Sequence, residues 1–276
     1  VSNLRILYDI ASDRATLTAS TTAGSLVVDN LKSNHKSLVW RSTSTTASLT
    51  ATWTTPEFVG CIAIPFCNFT STATIRVRVY TDAAGNELVF DTGVVLACPY
   101  SPLGAFKWGE EPIGVNSYTY GGGTYASVWT PIKTARKVVI DIVDDGNPAG
   151  YLDCGRLVVG GYWTPIYNPQ YSATATSQDT SRQYRTEAGE LLSDIGTVSK
   201  RLNINLSILV PSDRAAFWRS IRNVGMSKPI FVSLFPDDPD SELEQTHQIF
   251  GKLPTLGAIS ASSYNLYSAP LEVEEI

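Results

Sequence analysis

The stretch TIRVRVY, residues 74–80, sets Ile75, Val77 and Val79 against Arg76, Arg78 and Tyr80 in strict alternation. A period of two marks a strand with one face in an apolar core and the other in water, because successive side chains leave an extended backbone on opposite sides. The neighbouring runs read the same way. SLVVDNL, SLTATW, CIAIPF, ELVFDTGVVL, KVVIDIV and GRLVVGGYW follow one another up to residue 165. Between them lie turns such as DAAGN (82–86) and DDGNPAG (144–150), where Asp, Asn and Gly adopt turn geometry readily. Many short strands at this spacing predict a β-sandwich or jelly roll.

The chain changes character after YWTPIYNPQYSA (162–173), where Pro165 and Pro169 interrupt any strand. A boundary there gives two domains, 1–165 and 166–276. In the second, Leu202, Ile204, Leu206 and Ile208 alternate with Asn203, Asn205 and Ser207, another half-buried strand. VPSDRAAFWRSIRNVG (210–225) then predicts a helix. Pro211 stands near its entry with Ser212 as N-cap, Asp213 lies in the first turn, Arg219 and Arg222 lie toward the end, and Gly225 provides a left-handed exit. Phe217, Trp218, Ile221 and Val224 form the stripe expected to cover one face of a sheet. Arg214 falls along that stripe, to snorkel at the helix end or to reach a neighbouring subunit. PIFVSLF, the acidic loop PDDPDSELE, THQIFGKL and the alternating SYNLYSAPLEVEEI complete a small β unit with one helix.

A hydrophobic content of 43% over 276 residues is enough for a substantial core. Only 17% of residues are charged and the net charge is −5, which argues against a phosphate-binding surface and specific nucleic-acid recognition. The opening VSNLRILYDIASD has no apolar run behind a basic start, and no continuous apolar stretch of about 18 residues occurs, so neither a secretion signal nor a membrane anchor is expected. Cys61, Cys67, Cys98 and Cys154 lack metal-knuckle and CxxC spacing. If VGCIAIPFCNF is one strand, Cys61 and Cys67 stand roughly 20 Å apart, too far for a bridge. They read as reduced, buried hydrophobes, with a cross-strand pair as the alternative.

Candidate chemistry is sparse. His35 and His247 fall in different predicted domains, with no nucleophile motif beside either. GGGTY (121–125) lacks the setting of a phosphate loop. Asp144 and Asp145 occupy turn positions, and PDDPDSELE lacks the spaced ligands and glycine of a calcium loop. No catalytic residue, metal or cofactor is expected, although carboxylates paired by the fold could still serve a polysaccharide-degrading enzyme. More suggestive is FKWGEEPIGVNSYTYGGGTYASVW (106–129), with Trp108, Tyr118, Tyr120, Tyr125 and Trp129 around a glycine-rich centre. Aromatic faces with polar neighbours grip sugars or proteins, and the same residues can equally pack in a hairpin or core.

Two resemblances follow. Asp29, Asn30, Trp40, Arg41, Ser42, Ile62, Ile64 and Asn68 match the opening of galactose-binding-like (discoidin) jelly rolls, and Arg156 to Gly160 resembles their G-R-L-x-x-G closing segment. The succession of sandwich, YWTPIYNPQ, KRLNINLSIL, helix, GMSKPIFVSLFPD and APLEVEEI is similar to minor tail and baseplate proteins of tailed bacteriophages, its C-terminal part to the tail-tube-like domain of distal tail proteins. The second likeness implies a structural virion component assembled in the host cytoplasm. It would form a homo-oligomeric ring, six-fold or three-fold, that joins tube, hub and fibres. Residues 197–208 and 263–274 would be ring-forming strands and 212–224 an outer brace. The segment 166–276 holds nine Lys/Arg and thirteen Asp/Glu, net −4, which suits a wall that does not hold passing DNA. The first likeness implies attachment or binding of a host surface glycan through the aromatic loop.

Overall fold

The computed structural model describes residues 3–98, 124–169, 173–238 and 241–276. The protein is mainly β, as the alternation predicts, and divides into two compact units. One comprises Val1–Thr164 with Ile230–Gln248, the other Pro165–Pro229 with Ile249–Ile276. A single cut at 165 therefore needs correcting: Ile230–Ser233, buried at all four positions, pairs with Arg5–Leu7 in the first unit, Arg5 opposite Ser233. Among the described residues no helix is long and apolar enough to cross a membrane.

The first unit is organised by two long antiparallel partners, Thr46–Cys67 and Thr124–Val143. Their register breaks between Thr52 and Glu57, where Pro56 removes a ladder donor, and again near Cys61 and Cys67. SLTATW and CIAIPF, expected as separate strands, are thus two halves of one. Thr16–Ala19 pairs with the first half of Thr46–Cys67, and Val158–Gly160 and Asp153–Cys154 pair with its second half. Thr74–Tyr80 pairs with the far end of Thr124–Val143. Ile75, Val77 and Val79 lie in the core with Trp40, Trp53 and Ile140. Two large interior side chains are tied to distant backbone and carboxylate oxygens: Trp53 Nε1 donates to Ala11 O at 2.8 Å, and the buried Arg156 donates to Leu31 O at 3.2 Å and Asp13 Oδ1 at 2.5 Å. A Cβ at Gly160 would meet Asp9 O at 2.4 Å, so only glycine allows the chain to pass there.

SLVVDNL departs from the expected strand. Val28–Lys32 is a 3-10 helix, for Asp29 and Asn30 favour local turns and only Leu31 is driven inward. The four cysteines are buried and free. Cys67 stands opposite Cys154 on the paired strand, the cross-strand neighbours of the alternative reading, with both thiols free as the main reading had it.

The second unit is a sheet in which Val198–Leu209 pairs with Leu266–Glu275 on one side and Thr174–Asp179 on the other. Leu202, Ile204, Leu206, Leu271 and Val273 are buried. Helix α1, Pro211–Val224, buries Asp213, Phe217, Ser220 and Val224. The expected stripe is therefore rotated: Phe217 and Val224 pack, Ile221 is half-buried, and Trp218 is 55% exposed. Because Pro211 takes the first helical position, Val210 is the N-cap and Ser212 lies inside the helix. Asp213 accepts the Ile166 N–H at 2.9 Å. Arg182–Arg185 and Leu191–Asp194 form a separate two-stranded ribbon, exposed at every position.

Candidate functional site

Tyr125 and Trp129 open the strand Thr124–Val143, and the segment 230–248 occupies both. Tyr125 N–H donates to Gln245 Oε1 at 3.3 Å, and Gln245 Nε2 donates to Tyr125 O at 2.6 Å. Rings at 125 and 129 stack on Phe231 with centroids 6.3 and 5.8 Å away. Trp129 Nε1 donates to Glu244 Oε1 at 3.1 Å, and Ser233 Oγ donates to the same oxygen at 3.2 Å. The Arg5 guanidinium lies 5.1 Å from the Trp129 ring and 4.9 Å from that of Tyr162, and binds Asp237 at 2.6 Å. Burial pushes the Glu244 carboxyl above the usual carboxylate range, against the pull of its two donors.

Tyr125 is buried and offers no face to a sugar, so for it the packing alternative holds. Trp129 is half-buried, with Phe231 stacked on its ring and the Arg5 guanidinium beside it. Trp108, Tyr118 and Tyr120 lie outside the described residues.

The acidic motifs also resolve into structure. Asp144 is buried and accepts the Thr70 N–H at 2.9 Å, Asn147 Nδ2 at 3.0 Å and the Thr70 hydroxyl, an internal brace for its turn. PDDPDSELE is not a loop throughout: Ser241–His247 forms helix α2. From it Glu244 reaches the Trp129 indole and Gln245 the Tyr125 backbone, which the acidic-loop reading did not foresee. His247 ends this helix rather than sitting in a strand, its ring edge-on to Phe235 at 5.1 Å. Neither imidazole bonds a hydroxyl or thiol side chain, and no cluster of three metal-ligating residues occurs among the described residues.

The second unit presents the opposite picture. Tyr184, Leu191, Leu192 and Ile195 project from the ribbon, Ile195 with 95% of its surface exposed. On α1, Arg214 stacks over the Tyr267 ring at 4.6 Å, so its partner is within its own unit. Beside it Trp218, Arg219, Ile259, Ala261 and Tyr267 line a cleft of about 580 Å³. The sequence analysis missed the exposure of Trp218 and the second strand of the ribbon, Leu191–Asp194, for which the run LLSDI was the visible signal.

No protein-family model and no curated protein matches this sequence. Solved structures do. The Clostridium perfringens module CpGH89CBM32-5, in complex with GalNAc-β-1,3-galactose, has a TM-score of 0.39 at 10% identity over 55% of this chain and 100% of its own. The family 32 carbohydrate-binding module of C. perfringens NanJ, in complex with galactose, scores 0.37 at 14% identity over 58% and 99%. A Streptococcus pneumoniae fucose-binding module scores 0.37 at 11% identity over 55% and 94%. A likeness of this size does not carry a ligand across.

Proposed function

We propose that this protein is a non-enzymatic assembly component, a β-sandwich unit joined to a second β unit through which copies associate. The ribbon of residues 180–197 carries the reading. An isolated two-stranded hairpin is marginal in water, and this one bears Tyr184, Leu191, Leu192 and Ile195 in solvent. Apolar side chains grouped in this way mark an interaction surface. In the setting implied by the sequence resemblance, the assembly is a homo-oligomeric ring at a bacteriophage tail tip, linking the tube to the baseplate or fibres. Negative-stain microscopy with mass photometry tests this on the chain alone and mixed with tail tubes. Rings, or decorated tube ends, support it. Monomers that ignore the tubes would remove it.

A second reading, glycan binding by the first unit, is favoured by the aromatic-rich sequence 106–120, with Trp108, Tyr118 and Tyr120 as its remaining candidates. Galactose and fucose, named with the similar structures, are the first probes. Saturable binding by the full chain that Trp108→Ala removes would support it, and flat titrations would dismiss it.

A further inference from the structure

The surface of α1 and the surface of the ribbon match each other in charge, apolarity and length. Arg214, Trp218 and Arg222 are spaced four residues apart, so they share one ridge of the helix, a cation on either side of an exposed indole. The two arginines are separated by about 12 Å along the axis at 1.5 Å per residue. On the ribbon, Glu190, Leu192 and Asp194 alternate onto one face, an anion on either side of an exposed leucine. Those carboxylates are separated by about 13 Å at 3.3 Å per residue. Tyr184 stands across from Leu192 and widens the apolar centre, and Arg182 stands across from Asp194, leaving Glu190 the less compensated anion. The segment 186–194 holds three carboxylates, Glu187, Glu190 and Asp194, and no Lys or Arg. Helix α1 holds three arginines and one acid, and that acid, Asp213, is turned inward to the Ile166 N–H.

We infer that the ribbon of one copy docks on the α1 ridge of the next, Leu192 and Tyr184 entering the cleft beside Trp218 while Glu190 and Asp194 meet Arg214 and Arg222. This rests on the assembly reading and gives it a direction. The two surfaces are different parts of one chain, so the contact is head-to-tail: every copy offers a ribbon and a ridge, and repetition closes a ring or extends a filament. A second copy is the occupant because the complementary surface is already present on every chain.

The direction is testable by subunit mixing. Leu192→Asp spoils the ribbon and Trp218→Glu spoils the ridge. Both residues are exposed, so both variants should keep the wild-type circular dichroism and melting transition. Each alone should lose assembly in mass photometry. Mixed in equal amounts they should form dimers and nothing larger, because one intact ribbon then meets one intact ridge. Glu190→Lys with Asp194→Lys should also lose assembly, and adding Arg214→Glu with Arg222→Glu in the same chain should restore it. If the unsubstituted chain assembles and both apolar variants assemble equally well, or their mixture stays monomeric, the head-to-tail contact is wrong while the assembly reading survives. If the unsubstituted chain is monomeric alone and with tail tubes, the assembly reading itself fails.

Discussion

The chain has two groups of large aromatic and aliphatic side chains that the fold treats in opposite ways. Around Trp129 in the first unit, Phe231 supplies a stacking face, Tyr162 an edge, Arg5 a cation and Glu244 an acceptor for the indole N–H. Around Trp218 in the second unit, a flank of Arg214 and Tyr267 leaves more than half of the indole in water. An aromatic residue serves stability where the chain provides its partners, and is left for another molecule where the chain does not.

Substitutions can break that contrast. Phe231→Ala removes a fully buried ring on which both Tyr125 and Trp129 stack, and should cost about 3–5 kcal/mol in urea unfolding. A loss under ~1 kcal/mol would mean the cluster is not a packed core. Trp129→Phe keeps most of the ring but leaves the withdrawn Glu244 carboxylate short of a donor, and should cost about 1–3 kcal/mol by the same assay.

Glu244→Gln sharpens the comparison through pH. The folded state holds the Glu244 proton more tightly than the unfolded chain, because burial raises the carboxyl above its ordinary value of 4.5. The folded state therefore binds more protons in the window just above that value, and stability falls as pH rises through it. Gln still offers an oxygen to Trp129 Nε1 and cannot titrate, so this component of the slope should vanish from unfolding curves collected between pH 4 and 7, on the order of the carboxylate range. An unchanged slope would place the Glu244 carboxyl in solvent. The smallest effect should be that of Trp218→Ala, within about 0.5 kcal/mol of wild type, because an exposed side chain in a monomer has little packing to lose.

Periodicity over a few residues was readable without the fold. TIRVRVY and the alternation of Leu202, Ile204 and Leu206 appear in the structure with the expected faces buried, whereas Ile208 is 42% exposed because the register shifts between Leu206 and Leu209. So does the helix with its glycine exit, where Gly225 has φ 58°. Its orientation was less readable: at 100° per residue, Phe217 and Trp218 are both compatible with an apolar stripe, and the sheet beneath selects the line through Asp213, Phe217, Ser220 and Val224. SLVVDNL shows the complementary error, in which composition suggested a strand and local turn preference produced a 3-10 helix.

The candidate site depended on longer range. Tyr125 and Trp129 invite a binding reading because the sequence around them shows no partner for their faces. Phe231, Glu244 and Gln245, which engage them in the fold, are more than a hundred positions away in the chain. The sequence by itself determined the β class, the helix and its glycine exit, and the absence of familiar catalytic motifs, because these follow from local backbone preference and the spacing of residue types. Only the tertiary structure decided which aromatics are enclosed and which are offered outward, because burial depends on what the rest of the chain brings against a side chain.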